Sequence, residues 1–503
     1  MATKNKYDRQ LRLWGAEGQA ALSAAHVLLI GAGPTGTEAL KNLVLPGVGE
    51  FTVVDGERVG ESDVASSFFA RECDIGRPRA VVACELLLEL NPDVRGQSRV
   101  VSPEELFRSE PEYAGSFALV IGAQLDPLSL QTVGEACWKR SVPLVVARTC
   151  GLVGSVRLQL RRHEVVESKP ENTTWDLRVG DPFQTLEELG RECAGMWESW
   201  SSFERGRVPY AVILAAVAER FRRERGVLPE TARDKADFRH RITQLGGDLE
   251  NVQEACENCY RVWTSSSSLE SLEVRLSHQD ASDVTPLVKV LRGIAKFGRI
   301  PIAGPIPDMH ADTSQFVALQ RAYARAANAD AKAVRELVPS EVPDDYVNYV
   351  CRHLRDVRIV ATRSLADELE SPDLEDAADA LAESDDPTKL AQTPVLWYVA
   401  LRAADRFLLK RKRWPSTDPL DVKDLVADLQ ALSAGKLPWT PDTWDHHAIE
   451  LARFQNAELH AVASVIAAVA AQEAVKLIAH MYLPINHTFF FNAINASAAT
   501  FEI

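Results

Sequence analysis

Residues 31–36 read GAGPTG, and the segments on either side fix what such a loop can be. Before it, Val27–Ile30 is an unbroken apolar run, the pattern of a strand buried on both faces of a parallel sheet. After it, Thr35–Leu45 carries the 3.6-residue periodicity of a helix. Gly31, Gly33 and Gly36 therefore sit at a strand-to-helix turn. There, missing side chains let a phosphate approach backbone N–H groups at the positive end of a helix. Asp55 closes the next strand, Phe51–Val54, where an acid can hydrogen-bond a ribose. Strand, loop, helix, strand and acid in that order predict a doubly wound, Rossmann-like α/β domain.

The alternation continues. Phe117–Ile121, Leu144–Val146 and Val156–Leu160 read as strands, and Arg79–Leu90 and Ser129–Trp138 as helices. Past Arg162 the character changes to mainly helical periodicity, as in Tyr210–Phe221, Ala318–Arg335 and Pro394–Leu409. Its weak points are Thr264–Ser268, the proline-rich Ile300–Asp308 and the acidic Asp367–Asp386, read as a solvated surface. A helix over Glu458–Ala479 and strands at His487–Asn492 and Ala499–Ile503 return to α/β character. The expected organisation is one α/β domain, residues 1–165 and 458–503, interrupted by a large helical insertion at 166–457.

Composition narrows the class. A net charge of −15 opposes general binding to nucleic acid or anionic membranes. The longest apolar run, Ala461–Ala471, is shorter than the roughly 20 residues that span a bilayer, and it reads as a buried alanine-rich helix. The first residues lack an apolar stretch, so no secretion signal is expected. Eight cysteines in so long a chain then imply a reducing compartment, cytoplasm and nucleus.

Ahead of the loop, Tyr7–Gly15 (YDRQLRLWG) is a mixed basic and aromatic arm, or simply a structural N-terminal helix. Together with GAGPTG, Leu40–Leu43 (LKNL), Asp55 and Asp74–Pro78 (DIGRP), it resembles the family that activates ubiquitin-like modifiers. Arg148–Gly154 (RTCGLVG), Ile306–Met309 (IPDM), Leu401–Phe407 (LRAADRF), Ala471–Glu473 (AQE) and Ala499–Phe501 (ATF) narrow this. They resemble the regulatory subunits of neddylation (Rub) activating enzymes, nearly end to end.

That resemblance implies adenylation of a modifier's C-terminal carboxylate followed by transfer to a cysteine, yet several working positions depart from the pattern. Active members carry Asn-x-x-Asn-Arg after the ribose acid. The matching stretch here is Glu61–Ser67 (ESDVASS), with Ala65 and Ser66 in the last two places. Arg79 stands where they have a phosphate-binding lysine, keeping the charge but not its geometry. Gln124 stands where they have a magnesium-binding aspartate, with Asp126 two residues off register. A neutral amide lacks the anionic oxygen that Mg²⁺ prefers.

None of the eight cysteines has the family's proline-cysteine-threonine context; Cys150 reads as a buried structural thiol, and Cys256 and Cys259 as helical neighbours rather than zinc ligands. The implied role is a non-catalytic subunit with a vestigial nucleotide pocket (Gly31, Gly33, Gly36, Asp55) and no cofactor or metal of its own. Its partners would be a catalytic subunit holding ATP and Mg²⁺, and the ubiquitin-like modifier of the neddylation pathway. In the resembled family the arginine after Tyr-Asp touches ATP across the subunit boundary, and the match here is Arg9. Rival readings are a self-sufficient adenylating homodimer, an NAD-dependent oxidoreductase, an interaction scaffold and the regulatory subunit of the SUMO pathway.

Overall fold

A computed structural model describes residues 6–169, 175–264, 285–370, 374, 394–433, 437 and 441–502. The chain divides into two compact units, Met1–Val165 with Arg358–Ile503, and Val166–Val357.

The first unit is built on an eight-stranded sheet of order β10-β9-β6-β5-β4-β1-β2-β3. Its strands are β1 His26–Ile30, β2 Glu50–Val54, β3 Arg95–Arg99, β4 Leu119–Ala123, β5 Leu144–Cys150, β6 Val153–Gln159, β9 Thr488–Asn492 and β10 Ser497–Phe501. A separate antiparallel pair, β7 His163–Val165 and β8 Arg358–Val360, belongs to the same unit. β1 to β5 run parallel, while β6, β9 and β10 are antiparallel additions. The central strands are those whose sequences are continuously apolar, because both sheet faces are covered there. β3 (RGQSR) escaped the pattern reading: it is a polar edge strand, and Glu50 on β2 receives the Arg95 guanidinium at 3.1 Å.

Five helices position the site: α1 Asp8–Ala24, α2 Pro34–Val44, α3 Arg79–Leu88, α4 Pro127–Arg140 and, late in the chain, α5 His460–Ala479. By length and composition α5 could cross a membrane, with a mean hydropathy of 1.7. Yet Val462, Ile466, Ala467, Ala470 and Ala474 are buried in one cluster with Leu40 and Leu43 of α2 and Val156 of β6. It is a core helix.

β9 and β10 do rejoin the first sheet, as expected. The expected end of the insertion at 457 differs from the contact boundary, which falls between Val357 and Arg358. The reason is the helix Pro394–Arg411. Its Leu396, Tyr398 and Ala400 are buried with Phe490 of β9 and Cys150 of β5, so it covers the sheet rather than joining the inserted unit. Periodicity reports that a segment is helical; it carries no information about which core the segment joins.

Among the described residues of the second unit the regular elements are all helices, with no strand. One core gathers Ile213, Leu214 and Phe221 of Tyr210–Arg225 with Phe238, Val252 and Tyr323. Another gathers Leu287, Leu291, Val334 and Val347. Ile300–Asp308 is irregular, as its prolines dictate. Ser265 to Ser268, and the acidic stretch beyond Glu370 apart from Leu374, lie outside the described residues.

Candidate functional site

The turn between β1 and α2 is glycine-dependent for two separate reasons. Gly31 has φ +92°, and a Cβ there would overlap the Ala123 carbonyl oxygen of β4. A Cβ on Gly36 would overlap the Gly31 carbonyl oxygen, so its absence lets α2 begin directly against the turn. Gly33 is the N-cap of α2 and, having no side chain, leaves the first N–H groups of the helix without a local acceptor.

The acceptor comes from the far end of the chain. Glu458 Oε2 accepts the Thr35 backbone N–H at 2.9 Å and the Thr35 hydroxyl at 2.6 Å, across 423 positions of sequence. A Cβ on Gly33 would lie 2.6 Å from the other carboxylate oxygen. Burial raises the Glu458 carboxyl above its ordinary range, against the opposing effect of the Thr35 hydrogen bonds and of Arg79. The strap carrying Glu458 is itself held, since Gly151 donates its N–H to the Ala457 carbonyl at 2.8 Å and Phe454 fills the space beside Gly151.

Asp55 is buried and equally committed. Its Oδ2 accepts the Ala32 N–H at 2.7 Å and Arg79 Nε at 2.9 Å, while Oδ1 accepts the Glu57 N–H at 2.7 Å. Arg79, at the start of α3, also reaches Asp63 at 3.2 Å. Burial alone would lower the Arg79 guanidinium, but Asp55 and Asp63 hold it above its ordinary value. Asp55, the acid expected to meet a ribose, is paired with Arg79 in this structure.

The segment Glu61–Ser66 is a short helix in which Ala65 is exposed and Ser66 bonds back to the Ser62 carbonyl at 2.7 Å. Neither offers a charge. Gln124, at φ +50°, donates to the Thr149 carbonyl at 2.9 Å and accepts the Thr149 N–H at 2.7 Å. Its amide thus bridges to the backbone of β5, a use a carboxylate could not copy because it cannot donate. Asp126 caps α4, accepting the N–H groups of Leu128 at 2.9 Å and Ser129 at 3.2 Å.

Cys150 is fully buried, and burial pushes its thiol up to about 11, the opposite of an activated nucleophile. Cys256 lies on the helix Glu250–Asn258 and Cys259 opens the following 3₁₀ turn. Among the described residues no group of three or more His, Cys, Asp or Glu side chains is placed to hold a metal ion.

The arm is a helix docked on the first unit rather than an extended tail. Tyr7 sits against Gly47, and Lys6 reaches Asp93 at 3.0 Å. Arg9, in the first turn of α1, is exposed and has no ion-pair partner among the described residues. α1 then breaks at Trp14 and Gly15, the latter at φ 66°. The structure therefore brings Gly31, Gly33, Gly36 and Asp55 together and places Arg9 outside them. Glu458 is the site residue that sequence reasoning missed: it marked only the expected start of a helix.

The ThiF family profile matches residues 7–503, nearly the whole chain. The chain belongs to the ThiF family. Among its relatives is the NEDD8-activating enzyme E1 regulatory subunit of Xenopus laevis, 35% identical over 535 residues, 99% of this chain and 98% of that protein. The protein of the same name from Danio rerio is 34% identical over 533 residues, with the same coverage of both chains. The Arabidopsis thaliana NEDD8-activating enzyme E1 regulatory subunit AXR1 is 31% identical over 521 residues, 98% of this chain and 95% of that one.

Proposed function

We propose that this chain is the regulatory, non-catalytic subunit of a heterodimeric activating enzyme for the ubiquitin-like modifier of the neddylation pathway. The observation that carries the reading is the internal occupation of its pocket. Glu458 lies on the glycine loop and Arg79 on Asp55. Gln124 is tied to the backbone of β5 where a metal-binding carboxylate would be needed. Adenylation requires positive charge and a metal ion about the phosphates as negative charge develops there, and here the Arg79 guanidinium is committed to Asp55 and Asp63 while Glu458 fills the glycine loop. The full-length similarity to NEDD8-activating enzyme E1 regulatory subunits agrees with that role.

On this reading ATP and Mg²⁺ belong to a catalytic partner, and the pair works in cytoplasm and nucleus. Arg9 is this chain's contribution to the chemistry: a permanently charged, bidentate donor, exposed on a helix whose base is docked. In the reconstituted pair, Arg9→Ala lowers the rate of ATP–pyrophosphate exchange with modifier by on the order of 100-fold, while gel filtration gives an unchanged heterodimer. Exchange at the unmutated rate would remove Arg9 from the active site and leave the chain a scaffold.

A further inference from the structure

The glycine loop of this chain already holds an anion. The N-terminus of α2 presents the Thr35 N–H and hydroxyl to one oxygen of Glu458, at 2.9 and 2.6 Å, while the absent side chain of Gly33 makes room for the other. This is the geometry in which such a loop receives a phosphate, with a carboxylate of the same chain in the ligand's place. Two further observations separate it from an ordinary helix cap. The acceptor is not the cap residue or a near neighbour, but a residue on a strap pinned to Gly151 and leading straight into α5. And the remaining polar groups of the pocket, Asp55, Arg79 and Gln124, are also satisfied from within.

We propose that Glu458 is a built-in anion that occupies the phosphate seat of its own chain and keeps nucleotide out of it. This deepens the non-catalytic reading, on which it rests, by naming the residue that closes the pocket. A phosphate arriving at Thr35 meets both a filled seat and a like charge, and it can enter only by displacing the strap and the start of α5. Because Asp55 and Arg79 stay paired when Glu458 is removed, the vacated seat takes a compact polyanion, not a whole nucleoside triphosphate.

The test is calorimetric titration of inorganic pyrophosphate into the full chain. Glu458→Ala binds pyrophosphate about tenfold more tightly than the parent. Glu458→Gln, whose amide oxygen still accepts from Thr35 but carries no charge, gains less. A Glu458→Ala protein with unaltered circular dichroism and no gain in affinity overturns the proposal, as does a parent chain that binds as tightly as the variant. The reading beneath it fails by a different measurement, the absence of a stable pair with a catalytic subunit, which pyrophosphate binding to this chain does not report.

Discussion

A carboxylate at the head of a helix is stabilising in itself, since the unsatisfied N–H groups there carry partial positive charge. What gives Glu458 its force is the space it uses: Gly33 is at φ −70°, a conformation open to any residue, so a side chain there is opposed by the Glu458 carboxylate, which would have to shift and give up its Thr35 hydrogen bonds. Gly33→Ala then costs about 1–3 kcal/mol in the parent protein through overpacking. Combined with Glu458→Ala, the same substitution costs much less. Urea denaturation of the four proteins in a double-mutant cycle measures the coupling, and additive effects would mean that the two residues do not share the seat. Gly31 behaves differently: its positive φ and the Ala123 carbonyl oppose a side chain whatever stands at 458.

Elements in the first unit are joined by charges as well as by apolar packing. Arg157 of β6 is fully buried and donates to Glu368 at 2.7 Å; Glu368 lies on the short helix Leu365–Glu370 and also accepts Arg402 of Pro394–Arg411 at 2.6 Å. Arg402 continues to Asp405 at 3.5 Å, and Asp405 receives Arg148 of β5 at 2.7 Å. Burial would raise the Glu368 carboxyl, but Arg402 and Arg157 more than offset it and hold it well below the usual carboxylate range. Breaking one partner of such a network leaves a buried charge unpaired. Glu368→Gln destabilises the protein by about 3–5 kcal/mol, read as a lower urea midpoint at neutral pH. An unchanged midpoint would show that water reaches Arg157. This network also explains why the late helices follow the sheet rather than the insertion, a choice invisible in their periodicity.

At the scale of the molecule, each compact unit has its own apolar core, and the chain passes between them at 165/166 and 357/358. Independent cores predict independent melting. Differential scanning calorimetry of the full chain gives a van't Hoff enthalpy below the calorimetric one, resolving into two transitions. Equality of the two enthalpies would mean that the units unfold as one.

The sequence by itself determined the α/β class, the glycine turn, the order of the central strands along the chain and the exposed charge on the arm. These are short-range properties: an apolar run, a glycine spacing or a charged motif position is complete within a few tens of residues. Only the tertiary structure decided what fills the loop, which core receives Pro394–Arg411, and that β3 exists at all. Glu458 and Thr35 meet because β5 and β6 bring Gly151 beneath the final strap, and Arg79 reaches Asp55 because α3 starts beside the end of β2. A polar edge strand such as β3 has no alternating pattern to announce it, since its partner strand, not its own composition, holds it in place. Contacts of that kind depend on how distant segments are folded onto one another, and a glutamate before a helix looks the same in sequence whether it meets solvent or the seat of a phosphate.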